Sequence, residues 1–111
     1  MLENKFNQAE QLLKEIVEEN SLIDITWDYF WNNFDSYIIE CPEEANSLNI
    51  KDRSSIKAYF HYYSYKHHPE SSEGVIYAYD CIETSITFCY PDDTYLGHYD
   101  LMFDFNLNIL E

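Results

Sequence analysis

The hydrophobic periodicity of this 111-residue chain changes once, near Arg53. Before that residue apolar side chains recur every three or four positions, as along an amphipathic helix, and after it they alternate with polar ones, as in a half-buried strand. Helices followed by consecutive strands define an α+β domain, and short connections make neighbouring strands antiparallel. We therefore predict a single domain over 1–111, mainly helical from 1 to 50 and mainly strands from 54 to 111. Two N-terminal helices and a short third would pack on one face of a three- to four-stranded antiparallel sheet.

Three helices are predicted in the first half of the chain. The first runs from Asn4 to Asn20, and the second runs from about Thr26 to Glu40, where most of the apolar stripe consists of aromatic rings. A proline at position 42 followed by two acids is typical of a helix start, so a short third helix should begin there and end near Leu48. The stripe residues are Phe6, Ala9, Leu12, Leu13, Ile16 and Val17, then Trp27, Phe30, Trp31, Phe34, Tyr37 and Ile38.

The second half of the chain carries the signals of strands and turns. The predicted strands are 56–63, 75–90 and 98–105, with turns at 67–74 and 91–94. The sequence leaves open whether the tail after Asn106 adds a short fourth strand through Ile109. The second of these segments is longer than a usual strand, which predicts a bend or a bulge near Asp80. Alternation between apolar and polar side chains is clearest in the third segment.

One face of the predicted sheet would meet the helices, and the other would remain open. The open face should carry the polar phase of each strand. Its predicted acids are Glu83, Asp100 and Asp104, and its predicted rings come from Tyr59, His61, Tyr63 and Tyr65. Register decides this surface, because a shift of one residue moves every side chain to the opposite face.

The charge of the chain is strongly negative. It has 21 Asp and Glu against six Lys and Arg, a formal net charge of −15, and no Lys or Arg after Lys66. Such a field repels nucleic acid and anionic membranes, and it speeds encounter with a basic partner. The chain also has eleven tyrosines, a residue that gives recognition surfaces a large contact area for little conformational entropy. We therefore predict a basic protein partner and no direct binding of nucleic acid or membrane.

Several other classes of protein are disfavoured by the sequence. We see no apolar stretch of roughly 20 residues that would span a bilayer and no signal peptide. Three cysteines are too few and odd in number for a secreted disulfide scaffold, so we expect reduced thiols in a cytoplasmic protein.

No catalytic motif stands out in the chain. The two glycines are isolated, so a serine elbow and a phosphate-binding loop are both missing. His67, His68, Cys81 and Cys89 lack the spacing of a zinc site. The acids of 92–104 do not follow a calcium-loop pattern. We therefore predict that the chain is not an enzyme and that it holds no cofactor and no metal.

The stretch Gly97–Phe105, followed by asparagine-rich residues, is similar to the terminal strand and turn of several bacterial toxin-immunity proteins. The small size, the strong acidity and the predicted aromatic, acidic sheet face also resemble those of bacterial toxin-immunity proteins. Proteins of this kind are cytosolic, and they bind and block a cognate toxin domain, often a nuclease with a basic active site. The resemblance implies an inhibitor that occludes the active site or the substrate groove of a basic toxin or nuclease domain.

In such an inhibitor, carboxylates would pair with the Lys and Arg that normally grip phosphates, while tyrosines would fill the groove of the toxin. The predicted contacts are Glu83, Asp100 and Asp104, with Asp92 and Asp93 at the edge and with Tyr59 and Tyr63 as aromatic anchors.

Two alternatives remain open from the sequence. The first is a phage-type DNA mimic that inhibits a nucleic-acid-binding protein, which would need acids spaced like phosphates along one face. The second is a small metal-dependent hydrolase that would use His61 or His98 together with Asp100 and Asp104.

Overall fold

The computed structural model describes residues 1–68 and 80–110 and shows the predicted α+β architecture, with helices packed on an antiparallel sheet of four strands. The elements are α1 (Leu2–Glu19), α2 (Leu22–Glu40), α3 (Pro42–Ser47), a short 3-10 turn (Arg53–Ser55), β1 (Lys57–Lys66), β2 (Cys81–Cys89), β3 (Tyr95–Phe103) and β4 (Ile109–Leu110). Within the described residues, no helix is long and apolar enough to cross a membrane.

The sheet has the strand order β1-β2-β3-β4, and each strand pairs antiparallel with the next. The predicted turn at 91–94 joins β2 to β3, where Tyr90 and Asp93 make backbone hydrogen bonds that close the loop. The short strand through Ile109, which the sequence left open, is present as β4 and pairs with the end of β3.

The second helix begins four residues earlier than predicted. Ser21 has a φ of 53°, and this single left-handed residue ends α1 and starts α2 at once. Leu22 and Thr26 are therefore helical, and both are buried. A hydroxyl-bearing residue tolerates such a turn better than a bulky one, but the periodicity of the apolar residues does not reveal it.

The core lies between α2, the end of α1 and one face of the sheet, and it consists of two clusters. One contains Phe30, Phe34, Ala45, Ile50, Ile56 and Ile86, and the other contains Val17, Leu22, Ile82, Leu101 and Phe103. Thr84 lies on β2 between the two, and its hydroxyl is 2.6 Å from that of Thr26. Thr26 also donates to the carbonyl of Leu22, so each buried hydroxyl has a partner. We call this side of the sheet the helix face and the other side the open face.

A bulge in β1 changes which side chains reach the open face. Phe60 pairs with Ile86, but the next paired residue is Tyr62, opposite Ser85, so His61 is inserted between them. Beyond the bulge Tyr63 lies opposite Thr84 on the helix face, where it packs against the second core cluster. The prediction of Tyr63 on the open face is therefore wrong, because one extra residue inverts the phase of everything that follows it.

The strand predicted over 75–90 is described from Cys81 to Cys89. The bend expected near Asp80 adjoins residues 75–79, which lie outside the described part of the chain. A register shift that the sequence did not predict occurs at the other end of β2, between Phe88 and Cys89, where β3 contributes one extra residue. The two bulges add curvature to the sheet at β1 and at the β2–β3 turn.

Candidate binding surfaces

The centre of the open face is lined by a buried polar row from β2, and the exposed acid of β3 on this face is Asp100. Glu83 and Ser85 point to this face, yet both are buried. β2 is an inner strand, so long side chains of β1 and β3 close over its polar residues. The prediction that Glu83 lies on the open face holds, but the side chain is not available to a partner there.

Both carboxylate oxygens of Glu83 are occupied. The hydroxyl of Tyr62 donates to Oε1 at 2.6 Å, and the ammonium of Lys66 donates to Oε2 at 2.8 Å. Burial by itself raises the pKa of Glu83, but the hydrogen bonds from Lys66 and Tyr62 outweigh it and hold that pKa below its ordinary value. The group is therefore an internal anion that joins β1 to β2.

Asp100 is also engaged on the open face. Ser85 donates to its Oδ1 at 2.6 Å, and Nε2 of His98 lies 3.4 Å from its Oδ2. Nδ1 of His98 is in turn 3.0 Å from the hydroxyl of Tyr95. Ser85 donates to Asp100 and not to His98. Ser85, His98 and Asp100 therefore lack the serine–histidine contact that would activate a nucleophile.

The other predicted carboxylates stabilise turns. Asp92 accepts from the backbone of Thr94, and Asp93 pairs with Lys57 at 3.0 Å. At the opposite end of the sheet, Asp104 accepts from the backbone amides of Asn106 and Asn108. Of the five predicted acids, the structure brings only Glu83 and Asp100 together. The hydrolase alternative also loses its proposed set, since Asp104 is in a turn and does not contact the His98–Asp100 pair.

Metal-binding groups do not converge elsewhere in the described part of the chain. Within 1–68 and 80–110, no three side chains of His, Cys, Asp or Glu are placed to hold a metal ion. Cys81 and Cys89 occupy the two ends of β2, and the ring of His67 contacts Asp80.

Exposed rings of the open face surround a shallow pocket of about 570 Å³ beside the bulge. Tyr59, one of the predicted anchors, lines this pocket and is exposed. Tyr62 and Tyr95 also line it and were not predicted. Tyr62 reaches the open face only because of the bulge, which leaves no mark in the alternation, whereas the turn at 91–94 could have placed Tyr95 opposite Cys89.

Among the described residues, all the carboxylates that have neither a hydrogen bond nor an ion pair lie on the helices. Seven exposed carboxylates form no hydrogen bond or ion pair with another described residue, and we call them the helix carboxylates. They are Glu3, Glu10 and Glu19 on α1, Asp24, Asp28 and Glu40 on α2, and Glu43 on α3. A signal for this was present in the sequence, because residues 1–50 hold eleven acids and only two lysines.

This distribution of charge predicts how stability depends on salt. We expect the melting temperature to rise as NaCl increases from about 10 mM to about 150 mM, because the Debye length falls from roughly 30 Å to 8 Å and repulsion among the helix carboxylates is screened. Calorimetry or circular dichroism would measure it. A flat or falling curve would contradict the expectation and would show that bound cations already compensate the acids.

An apolar groove of about 1080 Å³ separates α1 from β1. Phe6, Leu12 and Ile16 of α1 line it, although they are exposed to solvent. Six consecutive residues of β1, Phe60–Tyr65, form part of its other wall, and Phe105 also lines it. The apolar stripe of α1 is therefore only partly used by the core, which it enters mainly through Val17 and Leu13.

No family model matches the chain, and neither a curated protein nor a solved structure is significantly similar to it. The fold and the surfaces define it by class only, as an acidic α+β domain with an unpaired anionic helix layer and an apolar groove.

Proposed function

We propose that this chain is an acidic binding protein that inhibits a basic protein, a toxin or nuclease domain, by occluding its active site or substrate groove. The observation that carries this proposal is the set of seven exposed helix carboxylates, which have no hydrogen bond or ion pair with any described residue. A carboxylate that already accepts hydrogen bonds or pairs with a cation gains less from a new cation than one without such contacts, which gains a full ion pair and helps to steer the encounter. The binding surface is therefore the helix layer, in place of the sheet face indicated by the sequence.

The proposed setting is the cytoplasm, where thiols stay reduced. All three cysteines are free, and Cys81 and Cys89 are buried. Charge complementarity of this kind supports association rates of roughly 10⁸ M⁻¹s⁻¹ at low salt and weakens steeply as salt is added.

Two variants that each remove four charges test the proposal and its location. The helix variant is E19Q/D28N/E40Q/E43Q, and the matched sheet variant is D92N/D93N/D100N/D104N. Because both have the same net charge, a difference between them reports the position of the acids. Each is immobilised beside the unchanged chain for capture from lysate of the source cell at low salt, followed by elution with salt steps and mass spectrometry.

We expect the unchanged chain to retain a basic protein until high salt and to inhibit its activity. The helix variant should bind that protein at least about tenfold more weakly, and the sheet variant within about threefold of the unchanged chain. Circular dichroism would confirm that both variants fold. Retention of no basic protein, or an equal loss in the two variants, would count against the proposal.

A further inference from the structure

We propose that the outer edge of β1, beside the groove under α1, accepts an extended basic segment of the partner as a fifth strand. The basic character of that segment rests on the proposed function, while the strand geometry rests on the contacts of β1 and α1.

Among the described residues, the backbone edge of β1 is open. β1 is the outermost strand of the described sheet, and within that sheet it pairs only with β2. No other backbone hydrogen bond joins Lys57–Lys66 to a described residue. Successive residues of a strand point to opposite faces, so a groove lined by all six residues of Phe60–Tyr65 must reach the edge of the backbone itself. Unpaired donors and acceptors of this kind are a template for another strand.

The usual protection of an edge strand is incomplete along the described part of β1. Proteins guard such edges with charged side chains, proline, bulges or a covering element. Lys57 and Lys66 stand at the ends of β1, but they are paired with Asp93 and Glu83 of the neighbouring strand and turn. The bulge at His61 interrupts the edge once and leaves Tyr62–Lys66 as a regular stretch of five residues.

The occupant of the groove must also bury the exposed apolar side chains of α1. The α1 wall of the groove presents Phe6, Leu12 and Ile16, all exposed. An extended segment that pairs with β1 would place alternate side chains against these three residues, in the manner of strand addition with side-chain pockets. A helix in the groove would cover the apolar wall but would leave the β1 edge unpaired.

The acids around the groove favour a basic occupant. Glu10 and Asp104 line the groove. A second copy of this chain would bring another −15 charges to the same place, so self-association at this edge is opposed by repulsion. A segment that alternates apolar residues with Lys or Arg would pair with the backbone edge of β1, bury the apolar wall of α1 and form ion pairs with the surrounding acids.

The probe is a fluorescent peptide of about twelve residues that alternates valine with lysine or arginine, and a scrambled peptide of the same composition is its control. Two further versions carry N-methyl groups on alternate residues, each in one of the two phases. N-methylation removes a backbone donor and keeps the side chain, and only one phase of an added strand donates to its neighbour. Binding is measured by fluorescence anisotropy, with amide hydrogen exchange of the protein as a second readout.

We expect the alternating peptide to bind more tightly than the scrambled one. One N-methylated version should lose at least about tenfold in affinity, and the other should stay within about threefold. Amides in Tyr62–Lys66 should exchange more slowly in the complex. The groove variant L12Q/F105Q should lose at least about tenfold, while I39Q should bind as the unchanged chain does. The replaced side chains are comparable in exposure, since Leu12, Phe105 and Ile39 are 62%, 70% and 78% exposed. Of these three residues only Ile39 lies outside the groove.

Equal binding of the two N-methylated peptides would overturn strand addition and favour a helix in the groove. A dimer of the unchanged chain that L12Q/F105Q converts to a monomer in sedimentation would assign the edge to a second copy and overturn the proposal as well. Failure of every peptide, together with capture of a basic protein by the helix carboxylates, would remove this inference and leave the proposed function intact. Peptide binding without any captured basic protein would support strand addition at β1 and count against the proposed function.

Discussion

Replacement of Phe103 by alanine is expected to lower the free energy of unfolding by about 3–5 kcal/mol. The ring is only 1% exposed and belongs to the cluster that joins α1 and α2 to the sheet. It lies opposite Ile82 on one side and Ile109 on the other, so its removal leaves a cavity that backbone pairing prevents from collapsing. Urea denaturation followed by circular dichroism would measure the loss.

Phe105 offers a matched control for that prediction. It is two residues further along the chain and 70% exposed, so F105A should change the free energy of unfolding by less than about 1 kcal/mol. Equal effects of F103A and F105A would contradict the assignment of Phe103 to a closed core cluster.

Replacement of Lys66 by methionine is expected to destabilise the fold by about 1–3 kcal/mol at pH 7. The reason is that the buried Glu83 carboxylate is left with Tyr62 as its only side-chain donor among the described residues. The carboxylate side chain is 7% exposed and Lys66 is 48% exposed. We therefore expect less than the cost of breaking a fully buried ion pair.

The effect of K66M should depend on pH with a defined sign. In the unchanged chain the pKa of Glu83 is lowered, so its contribution to stability is present above the ordinary value of about 4.3 and is lost as pH falls through the folded pKa. Without Lys66, burial should raise that pKa above its ordinary value, so the variant loses stability as pH rises above about 4.3. The difference between the two proteins should therefore be larger at pH 8 than at pH 5.

The double variant K66M/E83Q separates charge from packing. A neutral amide at position 83 needs no counter-ion, so the double variant should recover much of the stability that K66M loses at pH 7. Urea unfolding at several pH values would measure all three proteins. A K66M penalty that does not change with pH, or a double variant as unstable as K66M, would show that lost packing of the lysine stem is the cause.

The class of fold was predictable because it depends on local periodicity. The three helices, the succession of strands and the turn at 91–94 each follow from spacing within about a dozen residues. The apolar phase of β2 and β3 does face the helices, where Ile82, Ile86, Leu101 and Phe103 are buried. Phe105 continues that phase past the end of β3 and is nevertheless exposed. The net charge is a property of composition and needs no structure at all.

The location of the proposed binding surface was much less predictable. Alternation placed Tyr63 with Tyr59, but the bulge at His61 separates them, since one inserted residue inverts the phase without altering the local pattern. Alternation also placed Glu83 on the polar side, yet it could not show that Lys66 and Tyr62 would close over it. Those contacts join residues about 20 positions apart, and they depend on register.

The sequence by itself determined that this chain folds as helices on an antiparallel sheet and that it carries a large excess of acids. Only the tertiary structure decided which of those acids are already paired and which still face solvent. The physical reason is that periodicity reports the neighbours of a residue along one element, whereas the partners of a carboxylate come from other elements brought together by strand register and helix packing. The carboxylates that have no hydrogen bond or ion pair with a described residue consequently lie on the helices, and the apolar groove lies between α1 and the edge of β1.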